Sequence, residues 1–304
     1  MQIAWLRAFT AVVDHGTVVA AATALGRPQS RVSSYVSQLE SELGVVLIDR
    51  SRRPLDLTTA GHTFLPHARA VLRTLATADD ELAHLGGHEH GTVRLACIPS
   101  IAGAYAPSLV DRFARTEPSV VVRLQEMATS AVPPAIVERR ADLALVPVAY
   151  LDGIPEIESL PLWTEKLVVV VSDAHRLATR RSLSPRELAD EFLVTSGSGE
   201  GMSGLSPEVR PFFAREGLRP EATRRVASPH TLVALVRRGV AVSIVNELAL
   251  AVTGTAGLVV IPFGTPDAQR RIAVAWRRGD SLSPASLALR RFIVGSRPPS
   301  VATR

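Results

Sequence analysis

The chain has 304 residues, 46% hydrophobic and 21% charged, a balance that excludes a disordered chain and allows one large domain or two to three ordinary ones. Its formal net charge is +5, yet residues 1–90 carry eight arginines against nine acidic residues, so any electrostatic footprint there has to be local. The single cysteine, Cys97, excludes an intrachain disulfide and a cysteine-based zinc knuckle. Arg7 interrupts the first apolar stretch and no basic leader precedes it, so a signal peptide is not expected. Runs such as Leu167 to Val171 are too short to span a bilayer. A soluble cytoplasmic protein without a membrane partner is expected.

Ile3, Leu6, Phe9 and Val13 recur at helical spacing and open a first amphipathic helix. Thr17 can cap a short, alanine-rich second helix, Val18 to Leu25, which Gly26 is placed to end. Pro28 suits the first turn of a third helix whose apolar stripe is Val32, Val36, Leu39 and Leu43. Its other face offers Gln29, Ser30, Arg31, Ser33, Ser34 and Ser37, where a solvated surface is usually filled with longer charged residues. Short hydroxyl side chains let a helix sit deep in a major groove, and Gln can read adenine. A serine-rich face with no partner fits the same spacing. Next, two short apolar runs flank an arginine-rich turn containing Arg52 and Arg53, the pattern of a hairpin wing that can reach phosphates or the minor groove.

These residues resemble the LysR-type transcriptional regulators. The resemblance is carried by AAATALG, Gln29 with Val32-Ser33, Leu39-Glu40 before Glu42-Leu43-Gly44, Asp49-Arg50, and Leu57-Thr58 with Ala60-Gly61, in order from the start of the chain. It implies a winged helix-turn-helix over 1–58, with Pro28, Gln29, Ser30, Arg31, Ser33, Ser34, Arg52 and Arg53 as DNA-binding residues. Three positions depart from the family pattern: Ile48 stands where Phe is usual, and Arg31 and Ser34 differ on the DNA face. Operator sequence therefore cannot be borrowed from relatives.

Over 59–90 a long helix and a glycine-rich hinge are expected. Ala68, Leu75 and Leu82 fall seven apart, as do Val71, Ala78 and Leu85, an a/d seam that suits pairing with another helix or packing on its own domain. The resemblance implies a linker helix that dimerises antiparallel. The expected partners are thus a second copy, as dimer or tetramer, and partly palindromic double-stranded DNA, with RNA polymerase a further candidate. His84, His88 and His90 lie in a glycine-flanked stretch that makes a poor metal site, and neither metal nor cofactor is expected.

Past Gly91 short β-runs alternate with helices, which predicts α/β architecture with parallel sheets. Two such sets suggest an effector domain over 91–304, with one lobe near 91–162 and 268–295 and another near 163–267. GTVRLACIPS, ERRADLALVP and LVALVRRGVAVSIV resemble the same family, whose two Rossmann-like lobes look like periplasmic solute-binding proteins; Asn246 stands where the family often has proline. Ligands of open α/β sheets bind at the carboxyl ends of strands. Ser100, Ile101, Thr129, Ser130, Thr195, Ser196, Ser228 and His230 fall at such ends, though each also fits an ordinary helix cap. They are taken as the effector-binding set, for a small organic anion held by hydroxyls and backbone N–H groups without a buried arginine, or for a neutral molecule. No G-x-S-x-G, H-E-x-x-H, P-loop or C-x-x-C motif is present, so an enzyme is not expected. Gly197 to Gly204 reads as a loop lining the cleft.

Overall fold

The structure, a computed structural model, describes residues 1–50, 55–85, 91–197, 204–220, 223–265 and 267–298, with residues 77 and 80–85 described by backbone alone. It divides into two units, Met1–Gly87 and His88–Arg304.

The first unit holds α1 (Ile3–His15), α2 (Val18–Leu25), α3 (Gln29–Leu43), the strands β1 (Ile48–Asp49) and β2 (Asp56–Leu57), and α4 (Thr59–Leu85). Thr17 Oγ1 accepts the Ala20 N–H at 3.1 Å, and Gly26, with φ 59°, ends α2 by donating to Ala22 and Thr23 carbonyls. Pro28 caps α3 from just outside its first turn. Val32, Val36 and Leu39 are buried with Leu6, Phe9, Val12 and Leu47. Ile48, which replaces the family's Phe, fills the same core. Glu40 ties α3 to the hairpin: Oε1 accepts the Leu47 and Ile48 N–H groups at 2.9 and 3.1 Å, and Oε2 takes Arg50 at 3.0 Å. Asp14 of α1 pairs with the buried Arg69 of α4.

The second unit runs β3 (Gly91–Cys97), α5 (Pro99–Ala104), α6 (Ala106–Thr116), β4 (Val120–Glu126), α7 (Val132–Val137), β5 (Leu143–Pro147), β6 (Ile157–Ser172), α8 (Pro185–Leu188) and β7 (Leu193–Ser196). It continues α9 (Arg210–Arg215), β8 (Thr223–Val226), α10 (Pro229–Arg237), β9 (Val242–Asn246), α11 (Glu247–Thr253), β10 (Leu258–Pro262), β11 (Gln269–Arg277) and α12 (Pro284–Gly295). The strands follow the order β4-β3-β5-β11-β6-β9-β7-β8, with β10 also on β6.

The expectation of parallel sheets needs correction. β3 is parallel to β4 and β5, and β7 is parallel to β8 and β9, but β6, β10 and β11 run antiparallel to their neighbours. The reason is that β6 is one long strand serving both lobes. Its first half pairs with β11, and its second half with β9 and β10. In that second half Val169 and Val171 enter one core while Val168 and Val170 enter another, the period-two alternation of a strand buried on both faces. The helical stretch that follows β3 is two helices, α5 and α6, broken at Tyr105. Asn246, in place of proline, is buried and caps α11 by accepting the Ala249 N–H at 2.9 Å. Asp142 binds Arg94 through its backbone N–H (2.8 Å), Nε (3.1 Å) and Nη2 (2.8 Å), tying β5 to β3.

Candidate nucleic-acid interface and effector cleft

In the first unit α3 presents Gln29, Ser30, Arg31 and Ser34 to solvent, with Pro28 exposed at its start and Ser33 half-buried. Arg31 does not swing freely. Its Nε donates to Tyr35 Oη at 2.9 Å and its guanidinium lies 5.7 Å from that ring's centre, which holds it along the helix. Arg50 leaves the hairpin and donates to Ser37 Oγ at 3.2 Å beside its Glu40 ion pair, so a second arginine borders the same face. Residue-type reasoning passed over Tyr35 and Arg50 as members of the face. Arg52 and Arg53 lie outside the described residues.

Along α4 the seam residues separate. Ala68 is buried in the helical unit's own core with Leu65, so it packs within the unit. Val71 is 43% exposed, Leu75 is half-buried and Ala78 is exposed. The side chains of Leu82 and Leu85 lie outside the described residues, as do His88, His90 and the loop at 198–203.

In the second unit Ser100 and Thr129 stand at the adjoining ends of β3 and β4 and are buried. Ser130 is half-buried beside Thr129. Ile101 is fully buried in the core of its lobe and its N–H donates to Ile98 at 3.0 Å, so its side chain packs rather than facing a ligand. Thr195 and Ser196 end β7; Thr195 is buried and its hydroxyl accepts the Ser206 N–H at 3.2 Å. Ser228 precedes α10, and His230 on that helix is exposed.

The expectation of hydroxyls without a buried arginine needs correction at one member of the set, because Ser100 is bonded to the buried Arg270. Arg270 of β11 is paired across the sheet with Glu165 of β6, and its Nε donates to Glu165 Oε2 at 2.7 Å. Its Nη2 donates to Ser100 Oγ at 3.0 Å, and its Nη1 to Glu208 Oε1 at 3.1 Å. The three charged side chains are 4%, 4% and 7% exposed. Glu165 has a second donor, Trp163 Nε1, at 2.8 Å. Burial pushes the Glu208 carboxyl above its ordinary range and Glu165 adds repulsion, while Arg270 opposes both. Tyr150 has its Oη buried without a hydrogen-bond partner among the described residues, and feels Glu208, Arg225, Arg270 and Arg210. Burial raises its phenol well above the usual value. Arg225 packs against Gly197, where an added Cβ would lie 2.8 Å from its Cδ. On the Glu208 side of Arg270 opens a cleft of about 230 Å³, walled by Pro147, Val148, Pro211 and Phe212. Arg270 and Glu208 escaped sequence reading because their partners are distant in the chain: Ser100 lies 170 residues from Arg270.

Residues 3–62 match the family model described as bacterial regulatory helix-turn-helix protein, lysR family, and residues 86–297 match the LysR substrate binding domain. The chain belongs to the LysR family of transcriptional regulators. It is a DNA-binding regulator with an effector-binding domain. It is 31% identical to the HTH-type transcriptional regulator ShiR of Corynebacterium glutamicum (strain R), over 92% of this chain and 94% of that protein. A full-length OxyR variant from Pseudomonas aeruginosa shares the fold, with a TM-score of 0.72 at 22% identity, covering 96% of this chain and 94% of that one. The effector binding domain of QuiR in complex with shikimate gives a TM-score of 0.60 at 28% identity, covering 67% of this chain and 96% of that one. Within this LysR-family chain the one cysteine, Cys97, is buried at the end of β3, and burial drives its thiol far above the range in which a thiolate reacts. No helix among the described residues is long and apolar enough to cross a membrane.

Proposed function

We propose that this regulator reads a partly palindromic DNA site through Gln29, Arg31, Ser33 and Ser34 of α3. Pro28 and Ser30 sit at the helix entry, and Arg52 and Arg53 contact phosphates from the hairpin. The observation that supports this reading is the division of α3. Val32, Val36 and Leu39 are spent on the core, while the outward turns hold short polar groups with Arg31 and Arg50 along the edge. A palindromic site asks for a two-fold dimer, and Val71, Leu75 and Ala78 of α4, with Leu82 and Leu85, are its proposed seam. Val71→Asp with Leu75→Asp is expected to halve the mass seen by light scattering; an unchanged mass removes the seam from the account. RNA polymerase is a further proposed partner.

The effector reading is a small carboxylate held between the lobes by Ser100, Thr129, Thr195 and Arg270, with Ser130, Ser196, Ser228 and His230 near the strand ends. What supports it is a buried guanidinium already bonded to Ser100 Oγ, a geometry suited to a planar anion. QuiR was solved with shikimate, so shikimate is the first probe. Ser100→Ala with Thr129→Ala is expected to weaken shikimate binding at least tenfold in a thermal-shift titration, with operator affinity kept. Equal stabilisation of wild type and double variant would place the site elsewhere. A neutral effector is the second reading, favoured by the charge of Arg270 being matched already by Glu165 and Glu208. The methyl ester of shikimate separates the two: it shifts the melting midpoint if charge is dispensable.

A further inference from the structure

Arg270 is one cation facing two carboxylates, and the two are not held alike. Glu165 is its cross-strand neighbour in the sheet and receives donors on both oxygens, from Arg270 and from Trp163. Glu208 comes from the short turn ahead of α9, the Ser206 N–H of that turn resting on the Thr195 hydroxyl. It is also the group that opens onto the cleft. Two buried anions on one cation leave the cluster with an excess negative charge, which a low-dielectric site resists. The guanidinium edge that Glu208 occupies is next to the one bonded to Ser100.

We propose that Glu208 is a resident stand-in for the effector's carboxylate: an incoming carboxylate takes its place on Arg270, and Glu208 swings into the cleft as a neutral acid. This rests on the carboxylate reading above. The charge balances: one anion arrives on Arg270, and Glu208 takes one proton from bulk solvent, so the buried cluster keeps its net charge. Effector binding therefore moves the turn that carries Glu208, and with it the lobe containing Val209, Phe212 and Phe213. The groups around Glu208 are Arg270 on β11, Glu165 on β6 and Tyr150 after β5, with Arg210 and Arg225 acting on Tyr150. Asp152, Arg215, Asp267 and Arg271 line the cleft it would enter. Burial in the cluster raises the Glu208 carboxyl above its ordinary range, which favours this uptake. Ionised Glu208 competes with the ligand, so carboxylate affinity is expected to fall as pH rises, by up to tenfold per unit.

The test uses the full chain and sodium formate, compared with sodium chloride at equal ionic strength, between pH 6 and 8. Formate is expected to raise the melting midpoint of wild type more at pH 6 than at pH 8. In Glu208→Ala the formate gain should be larger than in wild type and flat across this range. Glu208→Gln, which keeps size and an acceptor for Arg270, should also lose the pH dependence, and it serves if the alanine variant does not fold. A formate gain that is the same in wild type and variants, or independent of pH in wild type, overturns the proposal. If shikimate binds wild type with pH-independent affinity, the effector reading stands and the stand-in falls. If formate and shikimate both leave the wild-type melting midpoint unshifted at every pH, the effector reading falls and the stand-in falls with it.

Discussion

Arg270→Met is expected to destabilise the second unit by about 3–5 kcal/mol, the range for removing one partner from a buried ion pair. Methionine fits the volume of the stem but leaves Glu165 and Glu208 buried together without their shared cation. Glu165 keeps Trp163 Nε1 at 2.8 Å, so it is partly satisfied, whereas Glu208 loses its ion-pair partner. Ser100 loses a donor as well. The loss has a pH signature. Glu208 already has a folded pKa above its ordinary value, and without Arg270 it moves higher. A carboxyl raised in the folded state binds protons there that the unfolded chain has released, so stability falls as pH rises through the gap between the two values. The penalty of Arg270→Met should accordingly grow as pH rises above the ordinary carboxylate range and shrink as pH falls toward it. Denaturant melts at several pH values, with hydrogen exchange to localise the change to this unit, check both parts. A penalty that does not vary with pH would mean that lost packing, and not unpaired charge, sets the cost.

Gly61→Val is the second large effect, and it acts on the DNA-binding unit. A Cβ at Gly61 would lie 2.1 Å from the Leu47 carbonyl oxygen and 2.8 Å from Leu57 Cδ2. That carbonyl cannot turn aside cheaply, because it accepts the Thr58 N–H at 3.0 Å, and Leu47 itself is fully buried. Gly61 is needed here for space: its N–H donates to Thr58 Oγ1 at 3.0 Å and the first turn of α4 lies directly on the hairpin backbone. Overpacking of a well-filled core costs about 1–3 kcal/mol, more when backbone must move, and Gly61→Val belongs at or above the top of that range. Because the hairpin must shift, operator affinity should fall along with the melting midpoint. Gly295→Ala is the control, since a Cβ there meets nothing within 4 Å. A Gly61→Val protein as stable as that control would show that α4 and the hairpin are not packed this closely.

The helical unit was readable because its constraints are local. Val32, Val36 and Leu39 mark one helix face, Gly26 and Pro28 punctuate it, and the hairpin follows within a few residues. The second unit was readable at its parallel strands and less so where distant segments meet. The first half of β6 carries Glu158, Ser159 and Pro161 on a surface-facing stretch, with no alternation to reveal a strand until it pairs with β11. β8, with Thr223, Arg224 and Arg225, reads as polar loop until it lies against β7. The strand ends placed Ser100, Thr129 and Thr195 where a ligand would be sought. The buried charges Glu165, Arg270 and Glu208 come from β6, β11 and the turn before α9, and their meeting depends on the crossing of chain between lobes. That is why the strand-end hydroxyls were legible and Arg270 beside Ser100 was not.

Base reading by α3 is the proposal on which this regulator's function rests. It is tested most directly by selecting random-sequence duplex DNA with the full-length protein and measuring wild type, Gln29→Ala and Arg53→Ala against the selected site over a range of salt. A partly palindromic site is expected. Gln29→Ala should relax preference at one base-pair position per half-site by about 1–3 kcal/mol with the salt slope unchanged, and Arg53→Ala should weaken all sequences alike and reduce the slope by about 1. Selection that enriches no sequence, or a Gln29→Ala protein with the wild-type preference at every position, would contradict it.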